Sequence, residues 1–83
     1  MNAKDNEFMQ SFVLGLIDHG ETREKEIVIS NSSFTGAVRA FYGYVKQESL
    51  VGRIKYLVGE GMFEYRGNGF VLTTKAKKAF WHL

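Results

Sequence analysis

A helical pattern that runs directly into a β-hairpin pattern occupies residues 50–72, and it narrows the possible folds more than any other feature. Its apolar stripe recurs at helical spacing and stops at two glycines: Leu50, Ile54, Leu57, Val58, then Gly59 and Gly61. Two β-prone segments follow, residues 62–65 and 70–72. Between them, Asn68-Gly69 indicates a tight turn, because both residue types tolerate a positive φ. The fold must therefore lead a helix into a hairpin.

The segments before and after this block complete the predicted order of elements. A first helix carries an apolar face, with Asp5 as its N-cap and Gly20 at its end: Phe8, Met9, Phe12, Val13, Leu16, Ile17. Residues 27–29 predict a short strand, and residues 31–33 cap a second helix that ends at Gly43. A third helix begins within residues 46–49, and Thr73 or Thr74 caps a short last helix over 75–82. We predict one α+β domain over residues 1–83, in the order helix, strand, helix, helix, strand, strand, short helix.

Composition excludes several classes of function. The chain has no cysteine, which rules out disulfides, thiolate metal sites and a cysteine nucleophile. Neither His19 nor His82 lies in a local motif with a nucleophile, and there is no glycine-rich phosphate loop. We therefore predict no enzyme activity, no catalytic residue, no cofactor and no metal site.

The sequence also lacks the apolar segments that direct a chain to or across a membrane. Residues 1–10 contain charged side chains and no long apolar run, so a signal peptide is not predicted. No stretch approaches the roughly 18 apolar residues that cross a bilayer. The expectation is a soluble cytoplasmic protein with no membrane partner.

Charge is unevenly distributed along the chain. Residues 1–31 contain three basic and six acidic residues, whereas residues 32–83 contain eight basic and three acidic residues. An acidic first part and a basic second part of the sequence favour a folded protein with one face suited to a polyanion.

The order of elements and the sequence pattern of residues 50–80 resemble those of the winged helix-turn-helix family of transcription regulators, of the MarR and PadR type. The run from Leu50 to Tyr65 is similar to a recognition helix that leads into the first wing strand. Leu72-Thr73-Thr74-Lys75-Ala76 is similar to the segment that closes the wing, with Ala76 where the family prefers glycine. The resemblance implies a winged-helix fold and double-stranded DNA as the partner.

The third helix carries the residues predicted to contact DNA. If the apolar stripe faces the core, Ser49, Gly52, Arg53 and Tyr56 lie on the outer side. We predict groove contacts from Gln47, Ser49, Arg53 and Tyr56. Phosphate contacts are predicted from Lys46, Lys55 and, in the wing, Arg66. The alternatives are a merely solvated helix face and an Arg66 that pairs with Glu64.

The aromatic residues leave two further alternatives open. Phe8 and Phe12, together with Phe80, Trp81 and Leu83, favour a homodimer through helix 1 and the C-terminal aromatic segment; in the alternative, Trp81 covers the domain's own core. The tyrosines favour half-buried packing over base stacking. The leading functional hypothesis is a small DNA-binding transcriptional regulator, either a repressor or a mobile-element control protein. The alternative is a winged-helix protein-interaction module that binds no nucleic acid.

Overall fold

A computed structural model describes residues 1–82 and contains four helices and a three-stranded sheet. In chain order the elements are α1 (Ala3–Asp18), β1 (Val28–Ser30), α2 (Asn31–Tyr42), α3 (Gln47–Gly59), β2 (Phe63–Arg66), β3 (Gly69–Leu72) and α4 (Thr74–Phe80). The predicted α+β class and the predicted order of elements are confirmed. The last helix ends at Phe80, two residues before the predicted end.

Helix α1 begins earlier than its sequence pattern predicted. Its N-cap is Asn2, so the prediction that Asp5 is the N-cap was wrong. Asn2 Oδ1 accepts the backbone N–H of Asp5 at 2.8 Å, and Asp5 Oδ2 accepts the backbone N–H of Asn2 at 3.3 Å. This reciprocal pair is a capping box with Asp5 in the third helical position. The helix ends as predicted before Gly20, whose φ of 86° only glycine adopts readily.

The caps of the later helices follow the same chemistry. Ser30, one residue before the predicted cluster, caps α2 by accepting the backbone N–H of Ser33 at 3.2 Å. Gly43 ends α2 with a left-handed φ of 72°, as expected for a helix C-terminus. Thr73 rather than Thr74 caps α4, with its Oγ1 accepting the Ala76 N–H at 3.1 Å. Helix α3 has no side-chain cap; its N-cap is Lys46.

The sheet is antiparallel, with strand order β1-β3-β2. Arg66 lies opposite Gly69, so the two-residue turn is Gly67-Asn68 and not Asn68-Gly69 as predicted. Gly67 has a φ of 57°, and glycine at the first central position suits the hairpin twist. Gly69 is needed for another reason: a Cβ there would lie 2.4 Å from the backbone oxygen of Ile29 in β1.

The core is built largely from aromatic rings contributed by α1, α2 and the sheet. The ring of Phe34 lies 4.6 Å from that of Phe63 and 4.3 Å from that of Phe70, between ring centroids. Trp81 is also in this core, with 3% of its surface exposed. Of the two alternatives for Trp81, the structure shows that it covers the domain's own core, so it is not part of an exposed dimer surface. Leu83, which belonged to the same prediction, lies outside the described residues.

Candidate nucleic-acid interface

Helix α3 is amphipathic and presents a polar side to solvent. Its core side buries Leu50, Ile54 and Leu57, at the spacing that the sequence pattern predicted, while Val58 is half-buried. The exposed side carries Ser49, Gly52, Lys55 and Tyr56, together with Glu48. The four-residue connection after α2 brings α3 directly against α2. Strand β2 begins at Phe63, three residues after Glu60. Of the predicted outer side of α3, Ser49, Gly52 and Tyr56 are exposed, whereas Arg53 is half-buried.

Five of the seven predicted DNA contacts lie on or beside this exposed side. Lys46 and Gln47 are exposed at the start of the helix, and Ser49 and Lys55 are exposed along it. Tyr56 is 39% exposed, and its hydroxyl donates a hydrogen bond to Glu60 Oε1 at 3.1 Å. Partial burial raises the pKa of Tyr56, and the hydrogen bond to Glu60 adds to the effect.

Arg53 occupies a different environment from the other predicted contacts. Its Nη1 donates to Asp5 Oδ1 at 3.0 Å, and the Asp5 side chain is only 1% exposed. The same carboxylate oxygen accepts the hydroxyl of Tyr42 at 2.7 Å. Asp5 is thus a buried charge with three hydrogen-bond donors: a guanidinium, a phenol and the backbone N–H of its own capping box.

Tyrosine rings surround the guanidinium of Arg53. The centroids of the Tyr42 and Tyr56 rings each lie 5.1 Å from its central carbon, within the range of a cation–π interaction. Tyr44 stacks on Tyr42 with ring centroids 5.6 Å apart, and its hydroxyl is 3.5 Å from Arg53 Nη2. Tyr42 and Tyr44 are half-buried, which favours the packing interpretation of these tyrosines over base stacking.

The charges in this cluster reinforce one another. Burial of Arg53 opposes its charged form, but the hydrogen bond to Tyr44 and the charge of Asp5 outweigh it and raise the pKa of Arg53. The pKa of Tyr42 is also raised, first by burial and then by its hydrogen bond to the Asp5 carboxylate. Breaking a buried ion pair by removing one partner costs about 3–5 kcal/mol, whereas a good bidentate base contact contributes about 1–3 kcal/mol. The balance favours an Arg53 that stays on Asp5.

A cleft of about 430 Å³ opens beside this cluster on the exposed side of α3. It is lined by residues from the start of α1, the α2–α3 connection and α3: Asn2, Asp5, Tyr44, Ser49, Gly52, Arg53 and Tyr56. A Cβ at Gly52 would meet no atom within 4 Å, so packing does not require glycine there. The missing side chain instead widens the cleft.

The wing arginine is paired as well, but at the surface. Arg66 Nη1 donates to Glu26 Oε1, and Arg66 Nη2 lies 4.0 Å from Glu64 Oε2. The side chain of Arg66 is 50% exposed, and those of Glu26 and Glu64 are 56% and 65% exposed. The alternative of pairing with Glu64 is therefore present together with a nearer partner, Glu26, that the sequence did not suggest. Such exposed pairs are weak and leave the arginine accessible.

The lysines of α4 are distributed over its surface. Lys75 Nζ donates to the backbone oxygen of Glu60 at 2.9 Å, and Lys77 Nζ donates to that of Lys25 at 2.8 Å. Both therefore tie α4 to neighbouring segments. Lys78 is exposed in the same short helix.

Asp5 is the residue of this site whose role the sequence did not predict. It was predicted as the N-cap but occupies the third helical position, and neither position predicts its ion pair with a residue 48 positions later. Asp5 lies three positions before Phe8, which places a charged residue on the apolar side of the helix and was the signal for a buried partner.

A second concave surface lies between α1 and α2, and it is mainly apolar. This groove has a volume of about 630 Å³, and its large apolar lining residues are Phe8, Phe12, Leu16, Ile29 and Phe41. Of the two α1 residues predicted for a dimer surface, Phe8 is 2% exposed and belongs to the core, while Phe12 is half-buried at the groove.

Comparison with protein families, with curated proteins and with solved structures finds no match to the chain. Within residues 1–82, no group of three or more histidine, aspartate and glutamate side chains is placed to hold a metal ion. No helix in that range is long and apolar enough to span a bilayer. The resemblance to winged-helix regulators therefore rests on residues 50–80 and on the order of the elements.

Proposed function

We propose that the chain is a winged-helix regulator that binds double-stranded DNA with α3 in the major groove and the β2–β3 hairpin on the flanking backbone. The observation that carries this proposal is the exposed polar side of α3, opposite its buried apolar stripe and directly followed by a hairpin with a two-residue turn. The basic composition of residues 32–83 supports it, because phosphate neutralisation dominates DNA affinity.

The predicted contacts divide into three roles in this proposal. Lys46 and Lys55 neutralise phosphates, and Gln47, Ser49 and Tyr56 reach base edges or backbone in the groove. Arg66 exchanges its exposed carboxylate partners for a phosphate. Arg53, predicted to read bases, is assigned instead to position α3 against α1, because leaving Asp5 would strand a buried charge.

A protein-interaction module remains the second candidate, and a specific observation favours it. Of the four cationic side chains predicted to meet DNA, Arg53 and Arg66 are already paired with carboxylates. Glu48 is exposed at the start of α3, where it would face phosphates. A surface with mixed charge suits a protein partner as well as a polyanion.

The proposal also includes a homodimer through α1. The apolar groove between α1 and α2, with half-buried Phe12 in its lining, supports this part of it. A two-fold dimer would match palindromic half-sites.

The test compares two surface lysine changes in a duplex-binding assay. Fluorescence anisotropy on a random duplex is measured at several salt concentrations for the natural chain and for Lys46→Ala/Lys55→Ala. We expect the double variant to bind more weakly on every sequence and to lower the slope of log affinity against log salt by about 2, since each lost phosphate contact contributes about 0.9. The matched control is Lys78→Ala, an exposed lysine on α4.

The two candidates give opposite outcomes in this assay. If the natural chain shows no binding to random duplex at low salt, the interaction module becomes the better account. If Lys78→Ala weakens binding as much as the double variant, α3 is not the surface that meets DNA.

A further inference from the structure

Several side chains that line the cleft beside Arg53 carry N–H or O–H groups that make no hydrogen bond within residues 1–82. Arg53 carries five N–H groups, of which one meets Asp5 at 3.0 Å and another meets the hydroxyl of Tyr44 at 3.5 Å. Its Nε is buried with no acceptor within residues 1–82. Because Nε is buried, the donors left for a ligand are the second N–H of Nη1 and that of Nη2, on a guanidinium that lines the cleft.

Three neutral groups at the cleft wall also have hydrogens to give. Tyr44 accepts from Arg53, which leaves its own hydroxyl hydrogen free to donate. Ser49 contributes a second hydroxyl. Asn2 uses its Oδ1 to accept the backbone N–H of Asp5, so its Nδ2 remains a donor.

The carboxylate that lines the cleft, that of Asp5, is by contrast already hydrogen-bonded. Asp5 Oδ1 accepts from Arg53 and from Tyr42, and Oδ2 accepts the backbone N–H of Asn2. Asp5 is 1% exposed, behind the guanidinium, so it presents almost no negative surface to a ligand. Tyr56 also lines the cleft, but it gives its hydroxyl hydrogen to Glu60 and so contributes no donor to a ligand. A cleft that offers a guanidinium, two hydroxyls and an amide, and whose one carboxylate is already paired, suits an anion with several acceptor oxygens.

We propose that this cleft binds a phosphate-type oxyanion, held by the Arg53 guanidinium, the Tyr44 and Ser49 hydroxyls and the Asn2 amide. Arg53 acts here without leaving Asp5, because a planar guanidinium donates along more than one edge. The open space above Gly52 gives the anion room beside α3. The oxyanion is either a backbone phosphate of a bound duplex, which rests on the proposed function, or a free phosphate group, which does not.

The first experiment uses inorganic phosphate and no DNA. ¹⁵N-labelled protein is titrated with sodium phosphate at constant pH and at constant ionic strength set with sodium chloride. We expect saturable shifts in the amide signals of Ser49, Gly52 and Arg53 and in the Arg53 side-chain N–H signal. Shifts that fail to saturate, or that chloride alone reproduces, would overturn the proposal.

Two double variants localise the effect to the cleft. Tyr44→Phe/Ser49→Ala removes two hydroxyl donors and leaves the Asp5–Arg53 pair intact; we expect phosphate to bind at least tenfold more weakly. The matched control, Ser11→Ala/Tyr65→Phe, makes the same chemical changes at exposed positions outside the cleft and should keep the natural affinity. Equal affinities of the two double variants would contradict the assignment. Amide signal dispersion confirms that each variant is folded.

A third titration, with a random duplex, separates the two sources of the oxyanion. If the duplex shifts the same signals and phosphate no longer does so in its presence, the cleft holds a backbone phosphate. If phosphate still binds to the DNA complex, the ligand is a free phosphate group. If phosphate saturates the cleft but no duplex binds, the DNA proposal fails and the cleft stands; if a duplex binds but phosphate never saturates the cleft, the reverse holds.

Discussion

Arg53 and Arg66 are both paired with carboxylates, yet the two regions that contain them differ in what the pairing does. On the α3 flank, Arg53 meets a carboxylate that is 1% exposed and is enclosed by tyrosine rings. In the wing, Arg66 meets Glu26 and Glu64, both more than half exposed. The contrast shows that burial of the partner, rather than the presence of an ion pair, decides whether an arginine can leave its carboxylate for a ligand.

The physical reason is the cost of desolvating charge. In the wing, water solvates all three charged groups whether or not they touch, so the pair contributes little and exchanges easily. At Asp5, water is excluded, and loss of the guanidinium would leave a carboxylate with only neutral donors. The Asp5–Arg53 pair is therefore a structural joint between α1 and α3, whereas the wing around Arg66 is a surface that can change partners.

Asp5→Ala is the change expected to break this comparison most strongly. It removes the capping box and the partner of both Arg53 and Tyr42 at a buried position. We expect the free energy of unfolding to fall by about 3 kcal/mol, at the low end of the range for a broken buried pair because Arg53 is 22% exposed. Urea unfolding at 25 °C measures the change.

The control for that loss is Glu7→Ala, an exposed carboxylate two residues along the same helix. Its expected effect is within about 0.5 kcal/mol. If Asp5→Ala and Glu7→Ala destabilise the protein equally, Asp5 is not the joint between the two helices.

Double-mutant cycles on the two ion pairs sharpen the comparison with a second number. The cycle Asp5→Asn with Arg53→Ala should give a coupling energy of about 2 kcal/mol, in the range found for residues that share a buried network. The cycle Glu26→Ala with Arg66→Ala should give less than about 1 kcal/mol, as exposed pairs do. Both are measured from urea unfolding of four chains each, and coupling energies of similar size would refute the distinction between the regions.

The sequence predicted the order of elements well because helix and strand patterns are local. Glycines at positions 20 and 43 and the threonine pair at 73–74 marked the helix ends within a residue or two. The details that failed are those where two neighbouring residues satisfy the same rule. Asn2 and Asp5 are both good caps, and Gly67-Asn68 is as good a turn as Asn68-Gly69.

The candidate site was predicted less completely, because its decisive contact is not local. Arg53 was predicted on the outer side of α3, but it lies at the edge of the apolar stripe, three positions after Leu50 and four before Leu57, and is half-buried. Only the packing of α1 against α3 brings Asp5 to Arg53, across 48 positions of sequence. Residue types and spacing do not encode that meeting.

Tyr42 extends the comparison to alkaline pH. Its pKa is raised in the folded state by burial and by the Asp5 carboxylate, so the folded chain holds this proton to a higher pH than the unfolded chain. The corresponding stability is complete below the unfolded pKa of 10.0 and is lost as the pH rises from there through the folded pKa. We expect Tyr42→Phe to flatten the decline in unfolding free energy above pH 10.

Urea unfolding between pH 8 and 11 provides this measurement, with Tyr65→Phe as the control for removing an exposed phenol. A decline of the same steepness in Tyr42→Phe and in the natural chain would mean that the Tyr42–Asp5 hydrogen bond does not govern the alkaline limb.

Arg66→Ala should have the smallest effect on stability and a visible effect on binding. Because its partners are exposed, we expect the free energy of unfolding to change by less than about 0.5 kcal/mol. If the wing meets a phosphate, affinity for duplex DNA falls on all sequences alike and the salt slope decreases by about 1. Arg23→Ala, an exposed arginine before β1, is the matched control. A salt slope that stays at the Arg23→Ala value would leave α3 as the only contact and would remove the wing from the interface.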